Sequence, residues 1–167
     1  IAQFNPREKI VKGKCSKKIG MEKLQPFCRD VLGYEFAPFT GGTKFRNGDT
    51  VLARITTCLE NGKTAKINVL NDDEVGFGST EFIVARAIEG KSDSNYLYYL
   101  FISPKIREKA IKSMVGSSGR QRVQADVLQS ISIPVTPLED QRRIGKILKS
   151  IDDKIAINTA INKNLGA

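Results

Sequence analysis

TPLEDQRRIGKILKSIDDKIAINTAINKNL, residues 136 to 165, is the stretch on which the reading of the chain turns. Thr136 can cap a helix, Pro137 suits its first position, and Glu139 can close a capping box, so a helix starts here. Beyond it Ile144, Leu148, Ile151 and Ile155 recur at spacings of four, three and four, and Asn158, Asn162 and Leu165 continue the register. That is a heptad seam with polar positions near its end. About thirty residues at 1.5 Å each make a rod of roughly 45 Å, long and one-sided for a helix that only closes a domain. A helix lying on its own domain would show the same periodicity. A helix–helix partner is preferred, because asparagine at a seam costs stability and sets register. Ile144, Leu148, Ile151, Ile155, Asn158, Asn162 and Leu165 are therefore the expected pairing residues.

Working outward, residues 1–135 read as one β-rich domain and 136–167 as an appended helix, an α+β chain with short helices in its first part. From 31 to 86 short apolar runs alternate with turn dipeptides. Asn47-Gly48 precedes TVLARIT (50 to 56) and Asn61-Gly62 sits between TTCLE and KTAKINVL, so each predicts a β-hairpin. EFIVARAI (81 to 88) predicts a strand and NYLYYLFI (95 to 102) a short apolar helix. Ser103-Pro104 launches a second helix over KIREKAIKSM. A helical turn is expected from Asp126 and a strand over SISIPV (130 to 135). Residues 1–24 begin with a turn-like FNPR, and their apolar residues are too sparse to assign an element.

The bulk numbers bound the chemistry. The chain has 167 residues, 40% apolar and 27% charged, an ordinary globular balance. No run of eighteen apolar residues is present, and no apolar core of a signal peptide precedes the domain, so no membrane segment is expected. The first residue is Ile1, which fits a trimmed or excised piece. Cys15, Cys28 and Cys58 form no CxxC pair and there is no histidine. This argues against a zinc site and a disulfide framework, and fits a reducing cytoplasm. It also removes Ser–His and Cys–His nucleophile schemes.

The net charge of +9 is unevenly spread: residues 104–126 carry six basic side chains against two acidic, while 47–90 carry four against seven. A polyanion-binding face and a solvated basic surface both fit, and charge alone does not choose. VGFGST (75 to 80) is superficially like a glycine-rich cofactor turn, but a strand follows it where a helix is needed. FNPR is not the catalytic tetrad of amino methyltransferases. The pairs Asp72-Asp73 and Asp152-Asp153 read as solvated.

The donors remain. GSSGRQRV (116 to 123) places Arg120 and Gln121 where each can make paired hydrogen bonds to base edges, while Ser117, Ser118 and Lys112 suit phosphates. Lys44 and Arg46 stand beside the GGT turn of 41 to 43, and Lys63 lies at the second hairpin tip. Convergence of these loops on one groove is the expectation, with plain solvent exposure the alternative for any one residue.

FRNGDTVLARITTCLENGKTA (45 to 65), EVGFGSTEFIV (74 to 84) and GSSGRQRVQADVLQSISIPVTPLEDQRRIGKILKSIDDKI (116 to 155) together resemble the specificity subunit of type I restriction–modification enzymes. The resemblance covers most of the chain. It implies a non-catalytic, DNA-binding target-recognition domain joined to the family's spacer helix. That family's subunit has two such domains, held apart by antiparallel helices, and reads a bipartite double-stranded DNA target. It docks methyltransferase subunits and, through them, restriction subunits, which alone hold S-adenosylmethionine, ATP and Mg; no cofactor is expected in this chain. With one domain and one helix, the chain is expected to be an excised half or a half-subunit that dimerises along its helix. The resemblance leaves open which of Arg120, Gln121 and Arg122 read bases; Arg122 is also suited to tying the loop to the domain.

Overall fold

The computed structural model describes residues 1–165. Eight strands form two four-stranded sheets. The first is antiparallel, in the order β1 (Ala2–Phe4), β8 (Phe82–Ala87), β5 (Thr50–Ala53), β6 (Thr64–Lys66). The second runs β3 (Glu35–Pro38), β2 (Cys15–Ile19), β7 (Val75–Gly78), β4 (Thr43–Arg46). Its β2–β7 pair is parallel.

Side chains alternate across each strand. Phe82 and Val84 of β8 join Val51, Ala65, Ile19 and Phe45 in a core between the sheets. Ile83 and Ala85 face the other way, onto helices α1 (Ser94–Ile102), α2 (Pro104–Lys112) and α3 (Ala125–Ser130). Both faces of β8 are covered over Phe82–Ala85, which is why those four residues are continuously apolar where a half-exposed strand would alternate. α4 spans Leu138–Leu165.

α1 and α2 form where the sequence places them. Ser103 stands at the N-cap of α2 with Pro104 following, as expected, and its carbonyl accepts the Arg107 N–H at 3.0 Å. Its hydroxyl, however, donates back to the Leu100 carbonyl of α1 at 2.6 Å and caps no α2 N–H. Two expectations are corrected, and one unassigned segment gains its elements. The residues flanking Asn47-Gly48 do form strands, but β4 and β5 belong to different sheets and make no hairpin. The cause is Asp49: it is buried, accepts the Arg46 N–H at 2.7 Å and turns the chain from one sheet to the other. SISIPV pairs with no strand. Its period-two isoleucines, Ile131 and Ile133, pack instead on the cluster around Leu97 and Phe101, and Pro134 has no N–H for a ladder. Residues 1–24, left unassigned from sequence, supply β1 and β2.

Candidate nucleic-acid interface

Two basic clusters picked from the sequence lie in different settings. On β4, Phe45 points into the core, so Lys44 and Arg46 point out. Arg46 Nε donates to Glu8 at 2.7 Å, and Arg86 Nη1 donates to the same oxygen, also at 2.7 Å. Arg86 further clasps the buried Asp49 with Nε and Nη2, both at 2.7 Å. Lys44 Nζ donates to the Glu8 carbonyl at 3.1 Å and lies over the Phe39 ring. Burial pushes the Glu8 carboxyl up, but hydrogen bonds from Arg46 and Arg86 outweigh it and hold Glu8 below the usual carboxylate range. The cations of this cluster are engaged inside the domain.

The loop after α2 differs. Val115 and Arg122 pair across its neck, with N–H to carbonyl distances of 3.2 and 2.9 Å. The tip closes as a turn in which the Arg120 N–H donates to the Ser117 carbonyl at 3.0 Å. Gly119 takes φ +74° there, a conformation open to glycine without strain. Behind the neck, Thr56 donates its N–H and its hydroxyl to the Gln121 carbonyl, each at 2.8 Å. Arg122 locks the base: Nη2 and Nε reach the Glu81 carboxylate at 2.7 and 2.9 Å. Those hydrogen bonds hold Glu81 below the usual carboxylate range, and it lies on the segment entering β8.

The loop thus has an anchored base and a bare tip. Ser117, Ser118 and Arg120 are exposed, Gln121 is half-buried, and the Arg120 guanidinium has no ion pair among the described residues. Lys112, at the end of α2, is exposed beside it. Lys63 reaches back to the Met21 carbonyl at 3.1 Å. The structure therefore brings Lys112 and residues 117–122 together against the 54–63 connection. Lys44 and Arg46 do not join them. Arg54, which the sequence reading passed over, underpins the same region by donating to Gln124 Oε1 at 2.7 Å.

α4 presents two faces. Gln141 and Gly145 are buried against the domain, while Ile144, Ile151, Ile155 and Leu165 of the seam are exposed and Leu148 is half-buried. Asn158 and Asn162 are exposed as well. Ile147, Ile157 and Ile161 extend the exposed apolar surface beyond the strict heptad; a count at both three- and four-residue spacing would have included them. Asp152 and Asp153 are not merely solvated: they accept hydrogen bonds from Tyr99 and Arg29 at 2.6 and 2.8 Å.

Among the described residues no group of metal-ligating side chains comes together, and no helix is long and apolar enough to cross a membrane. Gly90-Lys91-Ser92 stands between β8 and α1, where a phosphate loop could begin. There the Asp93 carboxylate occupies the helix N-terminus, accepting the Asn95 and Tyr96 N–H groups at 2.9 and 2.8 Å. The carboxylate thus takes two of the N–H groups an anion would use at that end and puts a negative charge there.

Comparison with known proteins gives this geometry a context. The family described as type I restriction modification DNA specificity domain matches residues 12–167. The EcoAI specificity subunit of Escherichia coli is 38% identical over 104 residues, which is 62% of this chain and 18% of that subunit. The EcoEI specificity subunit, also of Escherichia coli, is 36% identical over 104 residues, 62% of this chain and 17% of that one. The chain thus spans less than a fifth of these relatives. Among solved structures, the HsdS subunit from Thermoanaerobacter tengcongensis superposes with a TM-score of 0.71 at 18% identity, over 91% of this chain and 39% of that one. At that identity the likeness is one of fold.

Proposed function

We propose that this chain, which belongs to the type I restriction–modification DNA specificity family, is a non-catalytic unit that recognises double-stranded DNA through the loop of residues 116–122. One observation carries the reading: the loop's base is fixed by Arg122 on Glu81, while its tip offers Arg120 with no internal partner. A fixed base holds the tip in one pose, and an unpaired guanidinium is free for the two acceptors of a guanine edge. Ser117, Ser118 and Lys112 supply phosphate contacts, which set register without reading sequence. Gln121 is suited to an adenine edge.

In this reading α4 pairs with a second half, either another copy of the chain or a second domain of a longer subunit. A bipartite target is then read, with methyltransferase subunits docked alongside and restriction subunits recruited through them. S-adenosylmethionine, ATP and Mg act on those partners, in the cytoplasm. The exposed apolar row of α4 also favours a second reading, in which the helix docks methyltransferase subunits and the domain binds DNA without selectivity.

Selection from random duplexes by this chain with its methyltransferase subunits separates the readings. A palindromic bipartite motif marks a half-subunit completed by its twin, because twofold protein symmetry demands a twofold site. A single short half-site marks an excised domain that still reads DNA. Retention of the methyltransferase with no enrichment of any sequence supports the docking reading.

A further inference from the structure

We propose that Arg29 is a positioning residue that fixes the direction of α4 on the recognition domain and thereby the gap between half-sites; the second part rests on the bipartite reading above. The helix is held to its domain chiefly by polar groups, in two places. At the first, Gln141 is fully buried; its Oε1 accepts the Asp93 N–H at 3.1 Å and its Nε2 donates to the Thr136 carbonyl at 2.7 Å. Gly145 lies so close to α1 that a Cβ would meet Asp93 Oδ1 at 2.7 Å and Tyr96 N at 2.9 Å. These residues make a pivot.

The second place lies about 18 Å further along the axis, twelve residues at 1.5 Å each. There Arg29, its side chain only 9% exposed, donates to Asp153 at 2.8 Å and to the Lys149 carbonyl at 3.2 Å. Tyr99 adds a hydrogen bond to Asp152 at 2.6 Å. Between residues 154 and 165 the helix is exposed throughout. A rod fixed at one point can swing; fixed at two, it cannot.

Arg29 is itself braced. Asp30 receives its Nε and Nη2 at 2.9 and 2.7 Å, and its carbonyl accepts the Lys66 N–H at 2.7 Å. Two residues earlier, the Phe27 N–H donates to Gly62 at 3.0 Å, under the Arg107 guanidinium. Residues 27–30 thus form a strut from the helix to the 54–63 connection, the same connection that holds the DNA-reading loop at Thr56. Helix and reading loop share one frame.

The magnitude makes the latch matter. From Gln141 to Leu165 the helix runs about 36 Å, so a swing of about 5° moves its end by roughly the 3.4 Å that separates base pairs. A small loss of direction therefore becomes a change in spacing.

The test uses the full chain with its methyltransferase subunits. Spin labels replace Asn71 and Lys163, both exposed and the latter outside the heptad seam, in a cysteine-free background, diluted with unlabelled protein, and random duplexes are selected in parallel. In Arg29→Ala the label distances should broaden by several ångströms, and the same half-sites should return with more than one gap. Asp153→Asn, which leaves Arg29 packed, should move both readouts less and in the same direction. An unchanged distance distribution, or a broadened one with a single unchanged gap, would overturn the proposal. A wild-type selection lacking any gapped motif would overturn the bipartite reading and the spacing claim together, while the label distances still judge the latch.

Discussion

The β4 cluster and the loop after α2 are equally basic in sequence and opposite in structure. Around Lys44 and Arg46, Glu8 and Asp49 meet every guanidinium at hydrogen-bond distance. In the 116–122 loop only Arg122 is met, by Glu81, and Arg120 is left over. The difference teaches that a cation's role is decided by where the nearest carboxylate lands. Glu8 and Glu81 reach their partners across 38 and 41 residues of chain, so no local pattern announces them. Paired cations hold the domain together. The unpaired one is available to a ligand.

The comparison breaks most visibly at Asp49. Asp49→Ala leaves Arg86 short of a buried partner, and losing one member of such a pair costs about 3–5 kcal/mol. The urea midpoint should fall accordingly, while the base preference of the protein that remains folded should not change. Next is Arg120→Ala, expected to leave the unfolding free energy within about 0.5 kcal/mol of wild type. It should weaken cognate binding by about 1–3 kcal/mol and relax one position of the motif. Equal loss on every sequence would make Arg120 a phosphate contact. Lys112→Ala is a smaller change, lowering the slope of log affinity against log salt by about 1 without altering preference.

Smallest and most gradual is the effect of acid. Glu8, Glu74 and Glu81 all titrate below the usual 4.5 in the folded chain. A carboxylate with a depressed folded pKa contributes stability that is complete above its unfolded value and lost as pH falls through the folded one. Urea midpoints should therefore hold at neutral pH and decline below 4.5, and Glu8→Gln should flatten part of that decline. A midpoint that rose in acid would contradict these pairings.

What could be read from sequence follows the same division between local and distant. The α4 rod, α1 and α2 are legible because periodicity, proline and capping residues act within a turn or two. The Asn47-Gly48 turn was visible, but its role in switching sheets was not, because Asp49, besides its local bond to the Arg46 N–H, is held by Arg86, 37 residues away on β8. SISIPV has the alternation of a strand but no neighbour to pair with, and Pro134 brings no N–H to a ladder. In the site, the loop was legible from its glycines and donors, and Arg122's service to the domain was one of two readings left open. The anchoring by Asp152 and Asp153 was missed because Arg29 lies 124 residues from Asp153.

The most direct measurement is photo-crosslinking to DNA in the assembled complex, with the reactive side chain placed at Ser118 in one protein and at Lys44 in another. The account predicts crosslinks from position 118, confined to the retained motif, and none from position 44. Crosslinks from 44 with none from 118 would contradict it, and would move the reading surface to the cluster assigned here to holding the domain together.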